Sequence, residues 1–161
     1  MDFYGINVKQ DVTAEGTPDL GTSSNPFGEM HGEATSAQWG DLAEKYNCRD
    51  ICEEGTVMCV SEDEEFQVEP CNIDLDPSYV GVRSTKPGFI MNNQEENGEV
   101  VGLVGLVSVK ILGPVNKKDF IVPTVKGCAR AGKPEEIAHK IGVVTETNLD
   151  EEVKLVKCII R

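Results

Sequence analysis

The segment that most restricts the fold is residues 100–112, VVGLVGLVSVKIL. Strand alternation places Val101, Leu103, Gly105, Val107, Val109 and Ile111 on one face. The other face carries Val104 and Leu106 and then turns polar at Ser108 and Lys110. A strand apolar on both faces at its start and on one face later passes from a core to a rim. Gly102 and Gly105 interrupt it and Gly113-Pro114 ends it, far short of a membrane span. Such a strand cannot bury itself, so the rest of the chain has to supply its partners.

Those partners are legible along the sequence. Residues 56–61 (TVMCVS) and 66–68 flank an acidic turn at 62–65 and read as a hairpin. Residues 79–84 form a strand ended by Lys86-Pro87-Gly88, and residues 89–91 resume it, while 92–99 (NNQEENGE) read as a solvated loop. Asn116 to Asp119 is a turn, and the chain returns at 120–122, stopping before Pro123. Residues 128–131 are short and extended, 134–139 make one helical turn with Pro first, and 141–144 and 153–160 supply the last strands. Trp39, Leu42, Ala43 and Tyr46 recur at helical spacing, which predicts a helix over 34–46 in preference to a strand with Ala37, Trp39, Asp41 and Ala43 on one face. With 16 glycines and 8 prolines as punctuation, the expected fold is mainly β. It is a compact small barrel or sandwich of about eight short strands, with one short helix and an extended N-terminal arm.

The arm is residues 1–31 and the β-rich domain residues 32–161. Apolar residues in the arm come as singles or pairs, too few to bury much surface alone. Phe3, Tyr4, Ile6 and Phe27 are therefore the expected partner-binding anchors. No basic and apolar leader opens the chain, which predicts a soluble product made in the cytoplasm.

The formal charge is −13, with 21 acidic and five basic side chains in residues 1–99 against seven and ten in residues 100–161. Such a balance speaks against nucleic acid as a partner and suits an acidic, solvated face. The six cysteines, without a secretory leader, read as reduced, half-buried small hydrophobes. A zinc site from Cys48, Cys52, Cys59 and Cys71 is the alternative, but no C-x2-C pair supports it. Asn72, Asp74 and Asp76 share one side of an extended segment and could hold calcium, although Pro77 stands where an EF-hand requires glycine. His31 and His139 sit in no nucleophile or metal pattern, and no G-x-S-x-G or phosphate loop occurs. The expectation is no enzyme, no catalytic residue, no cofactor and no metal.

Several stretches together resemble the C-terminal domain of tailed-phage fibre and appendage proteins. Residues 32–46 (GEATSAQWGDLAEKY) are similar to that family's G-x-A-T-S-A-x-x-A-D-L-A-E-x-Y opening, and Glu54-Gly55-Thr56-Val57 to its P-G-T-V. Residues 80–92 resemble its G-V-V-S-T-x-P-x-x-L-M-N, residues 104–120 its long strand and turn, and 141–144 its late I-G-x-A. The matches run in order over about four fifths of the chain. They place it near the neck-appendage intramolecular-chaperone domains, some of which cleave themselves from the fibre after it trimerises. Gly40 replaces the usual Ala, and Lys118 replaces the turn's usual Gly, which predicts a wider turn there. Only some thirty residues precede the match, so no catalytic residue is carried over.

What the resemblance implies is a virion structural protein assembled in the host cytoplasm. The expectation is a short homotrimeric fibre, knob or decoration protein, docked through its arm on other virion proteins of the capsid, neck, tail or baseplate. An intramolecular-chaperone autoprotease and a host-receptor-binding fibre tip are the alternatives. For a tip, the aromatics near turns are Phe66, Tyr79 and Phe89, which core packing explains better.

Overall fold

The computed structural model describes Ser24, residues 40–95 and residues 98–161. The arm anchors Phe3, Tyr4, Ile6 and Phe27, the boundary at residue 31 and His31 lie outside the described residues. Among the described residues there are ten strands: β1 Asp41–Asn47, β2 Val57–Val60, β3 Val68–Pro70, β4 Tyr79–Arg83, β5 Phe89–Met91, β6 Gly98–Ile111, β7 Phe120–Thr124, β8 Cys128–Ala131, β9 Gly142–Val144 and β10 Lys154–Ile160. Pro134–His139 form a single 3₁₀ turn. The expectation of a mainly β barrel with one short helix holds.

β6 organises the sheet, as its sequence demands. Its second half pairs antiparallel with β10 from Gly105 to Ile111. β10 then pairs with β9, β9 with β7 and β7 with β8. β8 returns to β6 at Ile111, where the Leu112 N–H donates to the Ala129 carbonyl at 2.8 Å, and the five strands close into a barrel. Val107, Val109, Ile111, Ile121, Ala129, Val144, Val156, Cys158 and Ile160 point inward and are buried. The first half of β6 pairs instead with β1 and β4, and β2 and β3 follow outward from β4. A second, smaller apolar cluster lies there, built from Cys48, Cys52, Met58, Val68 and Val101.

Two glycines fix this junction. Gly105 has φ +123°, and a Cβ there would sit 2.2 Å from the Gly40 carbonyl oxygen. Gly55, at φ +81°, lies so close to β6 that a Cβ would come within 2.9 Å of the Lys110 nitrogen.

Several expectations are corrected. The helix over 34–46 is a strand from Asp41 onward: β1 buries Asp41 and Ala43 and turns Leu42 outward, the pattern ranked second in the sequence. Pairing along all seven residues with β6, and in parallel with β5, outweighs local helical spacing. The loop at 92–99 ends early, because β6 starts at Gly98 and buries Glu99. The second hairpin strand runs over Val68–Pro70, two residues later than expected. β7 continues through Pro123, whose carbonyl accepts from Leu75 N–H; that edge faces a loop, so the missing proline N–H removes no ladder bond. The turn at Lys118 is not widened: Lys118 adopts φ +80°, and the Asp119 N–H donates to the Asn116 carbonyl at 3.0 Å. Finally, the cysteines are not all reduced, since Cys59 and Cys71 form a disulfide across β2 and the end of β3, with Cα atoms 5.0 Å apart.

Candidate functional site: an apolar assembly face

Strand registers place a row of apolar side chains on the outer face of the sheet. Phe89 of β5 stands opposite Leu42 of β1, and Leu42 opposite Val104 of β6. Two residues along β6, Leu106 stands opposite Ile159 of β10, Ile159 opposite Val143 of β9, and Val143 opposite Phe120 of β7. Directly opposed residues share a face, so the row crosses six strands. Their inward neighbours Ala43, Val107, Ile121, Val144, Cys158 and Ile160 are buried, which sets this row on the other side.

The row remains open to solvent. Phe89 is 64% exposed, Leu106 48%, Ile159 46% and Val104 42%, while Leu42, Val143 and Phe120 are half-buried. The expectation that core packing accounts for Phe89 is therefore wrong; Tyr79 is packed against the barrel core, and Phe66 lies under Arg49, whose guanidinium carbon sits 5.0 Å from the ring centre. Further along β10 and β6 the same face turns polar at Lys157 and Ser108, and beyond them exposed Leu155 stands opposite Lys110. A contiguous apolar row with a polar margin is what association surfaces present. Sequence alternation had separated Val104 and Leu106 from the inward face of β6, but it could not tell a covered outer face from a bare one.

The polar residues singled out in the sequence are held by the fold itself. Arg130 donates to Asp74 (Nε to Oδ1, 2.8 Å; Nη2 to Oδ2, 2.7 Å) and to Glu136 (Nη1 to Oε2, 2.8 Å). The Arg130 hydrogen bonds, with the Lys133 N–H, hold the Glu136 carboxyl down at about 2. Asp76 Oδ1 caps the Ser78 N–H and hydroxyl, and Asn72 Oδ1 accepts from Lys126 N–H. These three side chains, the calcium alternative in the sequence, are thus each engaged by protein groups. The four cysteines of the zinc alternative divide into a disulfide and a separate thiol pair, Cys48 and Cys52. His139 ends the 3₁₀ turn, half-buried. Among the described residues, Asp41 Oδ2 and the Tyr79 hydroxyl are buried without a hydrogen-bond partner.

No protein-family model matches the chain, and no curated protein matches it. Solved structures do. The crystal structure of the pre-mature bacteriophage phi29 gene product 12 superposes with a TM-score of 0.63 at 13% identity, over 83% of this chain and 23% of that one. The crystal structure of the bacteriophage phi29 gene product 12 C-terminal fragment superposes with a TM-score of 0.57 at 14% identity, over 75% of this chain and 100% of the fragment. This chain shares its fold with that C-terminal fragment. The likeness agrees with the resemblance to neck-appendage chaperone domains carried by residues 32–46, 80–92 and 104–120. The chain spans under a quarter of the longer phage protein.

Proposed function

We propose that the chain is a structural module of a phage particle, a β-barrel knob that associates with copies of itself as a homotrimer. It joins other virion proteins through residues 1–31, and no chemistry is assigned to it. The observation that carries this reading is the fold shared with the whole of the phage gene product 12 C-terminal fragment. The apolar row supports it energetically. Fully burying a large apolar side chain contributes about 1.5–3 kcal/mol, so covering the exposed parts of Phe89, Val104, Leu106 and Ile159 contributes about 3–6 kcal/mol per subunit. Nothing in the acidic composition opposes a role on a particle exterior.

The test is the mass of the full chain in solution together with a protein inventory of purified particles. A trimer present in particles is the expected result. Leu106→Lys with Ile159→Lys is expected to give monomers that keep the circular dichroism of the parent but melt at a lower Tm that no longer depends on protein concentration; a trimer surviving both substitutions removes this face from the interface. A second reading, an intramolecular-chaperone autoprotease-like domain, draws on one phage relative being described as pre-mature and another as a C-terminal fragment. An internal cut appearing in the intact mass during expression would favour it over the first.

A further inference from the structure

The segment leading from β1 into β2 carries two thiols that the fold leaves unjoined. Cys48 ends the β1 segment in a bridge to Val68 of β3, and Cys52 follows four residues later, its backbone N–H donating to Glu99 Oε1 at 3.2 Å. Both are buried, and their Sγ atoms lie 4.0 Å apart. A disulfide needs about 2.05 Å between sulfurs, so closure asks for a movement of about 2 Å. The intervening residues can supply it, because Arg49, Asp50 and Ile51 are exposed. A cavity of about 330 Å³, lined by Cys48, Arg49, Asp50, Phe66, Val68 and Cys71 among others, gives a small reagent a route to Cys48.

We propose that Cys48 and Cys52 are a second disulfide site, closed when the chain meets a low-molecular-weight disulfide such as oxidised glutathione, and that the bond locks the end of β1 beside the β2–β3 hairpin. Cys48 loses its proton to solvent, and its thiolate attacks one sulfur of the oxidant, expelling one thiolate and leaving a mixed disulfide. Cys52, deprotonated in turn, attacks Cys48 Sγ and expels the second thiol. Two protein thiols lose two electrons and two protons, and one glutathione disulfide becomes two glutathiones. Burial, with the neighbouring Cys48 thiol adding to it, pushes the Cys52 thiol of the untreated protein up to about 12. The site stands apart from the apolar row and does not depend on the assembly reading.

Trypsin gives a direct readout, because cleavage after Arg49 separates residues 46–49, with Cys48, from residues 50–83, with Cys52, Cys59 and Cys71. The full chain is treated with oxidised glutathione, alkylated under denaturing conditions and digested. The expected product is 46–49 joined by a disulfide to 50–83, with Cys128 and Cys158 alkylated. Fragment ions are expected to place that bond at Cys52, with Cys59 still joined to Cys71; a bond from Cys48 to Cys59 or Cys71 overturns the proposal. In Cys52→Ser the same treatment is expected to leave Cys48 as its glutathione adduct. The treated parent is expected to melt a few degrees above the untreated protein, and Cys48→Ser with Cys52→Ser to show no such gain. Recovery of 46–49 from the treated parent as a free alkylated peptide, as a lasting glutathione adduct, or joined to Cys128 or Cys158 overturns the proposal.

Discussion

The barrel and the open side of the sheet solve one problem in two ways. In the ring of β6, β10, β9, β7 and β8, every strand finds a neighbour on each edge, and its apolar core also takes in Val57, Cys59, Cys71 and Val82 from the open side. On the open side, among the described residues, β3 ends the sheet, β5 pairs only with β1, and a second apolar cluster is small. Specific links add to that side: the Cys59–Cys71 disulfide, and the Arg83–Glu99 ion pair at 2.8 Å, both partners largely buried. The ring carries links of its own, Arg130 of β8 pairing with Asp74 and Glu136. The outer row crosses both regions, from Phe89 on β5 to Phe120 on β7, so association would tie the weaker side to the stronger one.

The largest expected effect tests the ring. Ile121 is fully buried in the barrel core, so Ile121→Ala should cost about 3–4 kcal/mol in denaturant unfolding, from lost burial plus the cavity left behind. A loss under about 1 kcal/mol would mean that the ring core is loose and the comparison wrong. The next effect tests the open side. Glu99→Ala strands the Arg83 guanidinium and removes the acceptor of the Cys52 N–H, a cost of about 2–3 kcal/mol. Adding Arg83→Met should recover part of it, since the uncompensated charge is then gone. Amide exchange should quicken in β4 and β2 of Glu99→Ala and stay slow in β9 and β10. Equal acceleration everywhere would make the two regions one cooperative unit.

Much of this was legible because period-two alternation survives in strands packed on one face. β6, β4, β7, β9 and β10 all fall where apolar residues alternate or run together between glycine, proline and acidic turns. β1 was not, because Trp39, Leu42, Ala43 and Tyr46 satisfy helical spacing while the forces that make 41–47 a strand come from β5 and β6, some fifty residues away. Glu99 looked like loop because the run NNQEENGE is polar throughout, and the Arg83 guanidinium and the Cys52 N–H that make its burial tolerable come from other parts of the chain. The disulfide also lay beyond the sequence, since pairing Cys59 with Cys71 depends on the register of β2 and β3. The apolar face was half legible, its residues visible as a strand face but its exposure only in three dimensions.

The smallest expected effect sharpens the comparison from within the ring. Lys118 holds φ +80° in a turn pinned on several sides: its own N–H donates to the Val144 carbonyl at 2.9 Å, Asn116 N–H to Asp119 Oδ2 at 2.8 Å, and Lys117 N–H to Thr147 Oγ1 at 3.0 Å. An L-residue in that region costs about 1–2 kcal/mol, and glycine removes that cost while adding about 0.5–1 kcal/mol of unfolded-chain entropy. Lys118→Gly should therefore stabilise the protein by about 0.5–1 kcal/mol. Lys118→Ala, which removes the charge and keeps the strained backbone, should leave stability within about 0.5 kcal/mol of the parent. Equal gains from both would assign the effect to charge. No gain from glycine would mean that the closed ring does not hold Lys118 in its unfavourable conformation.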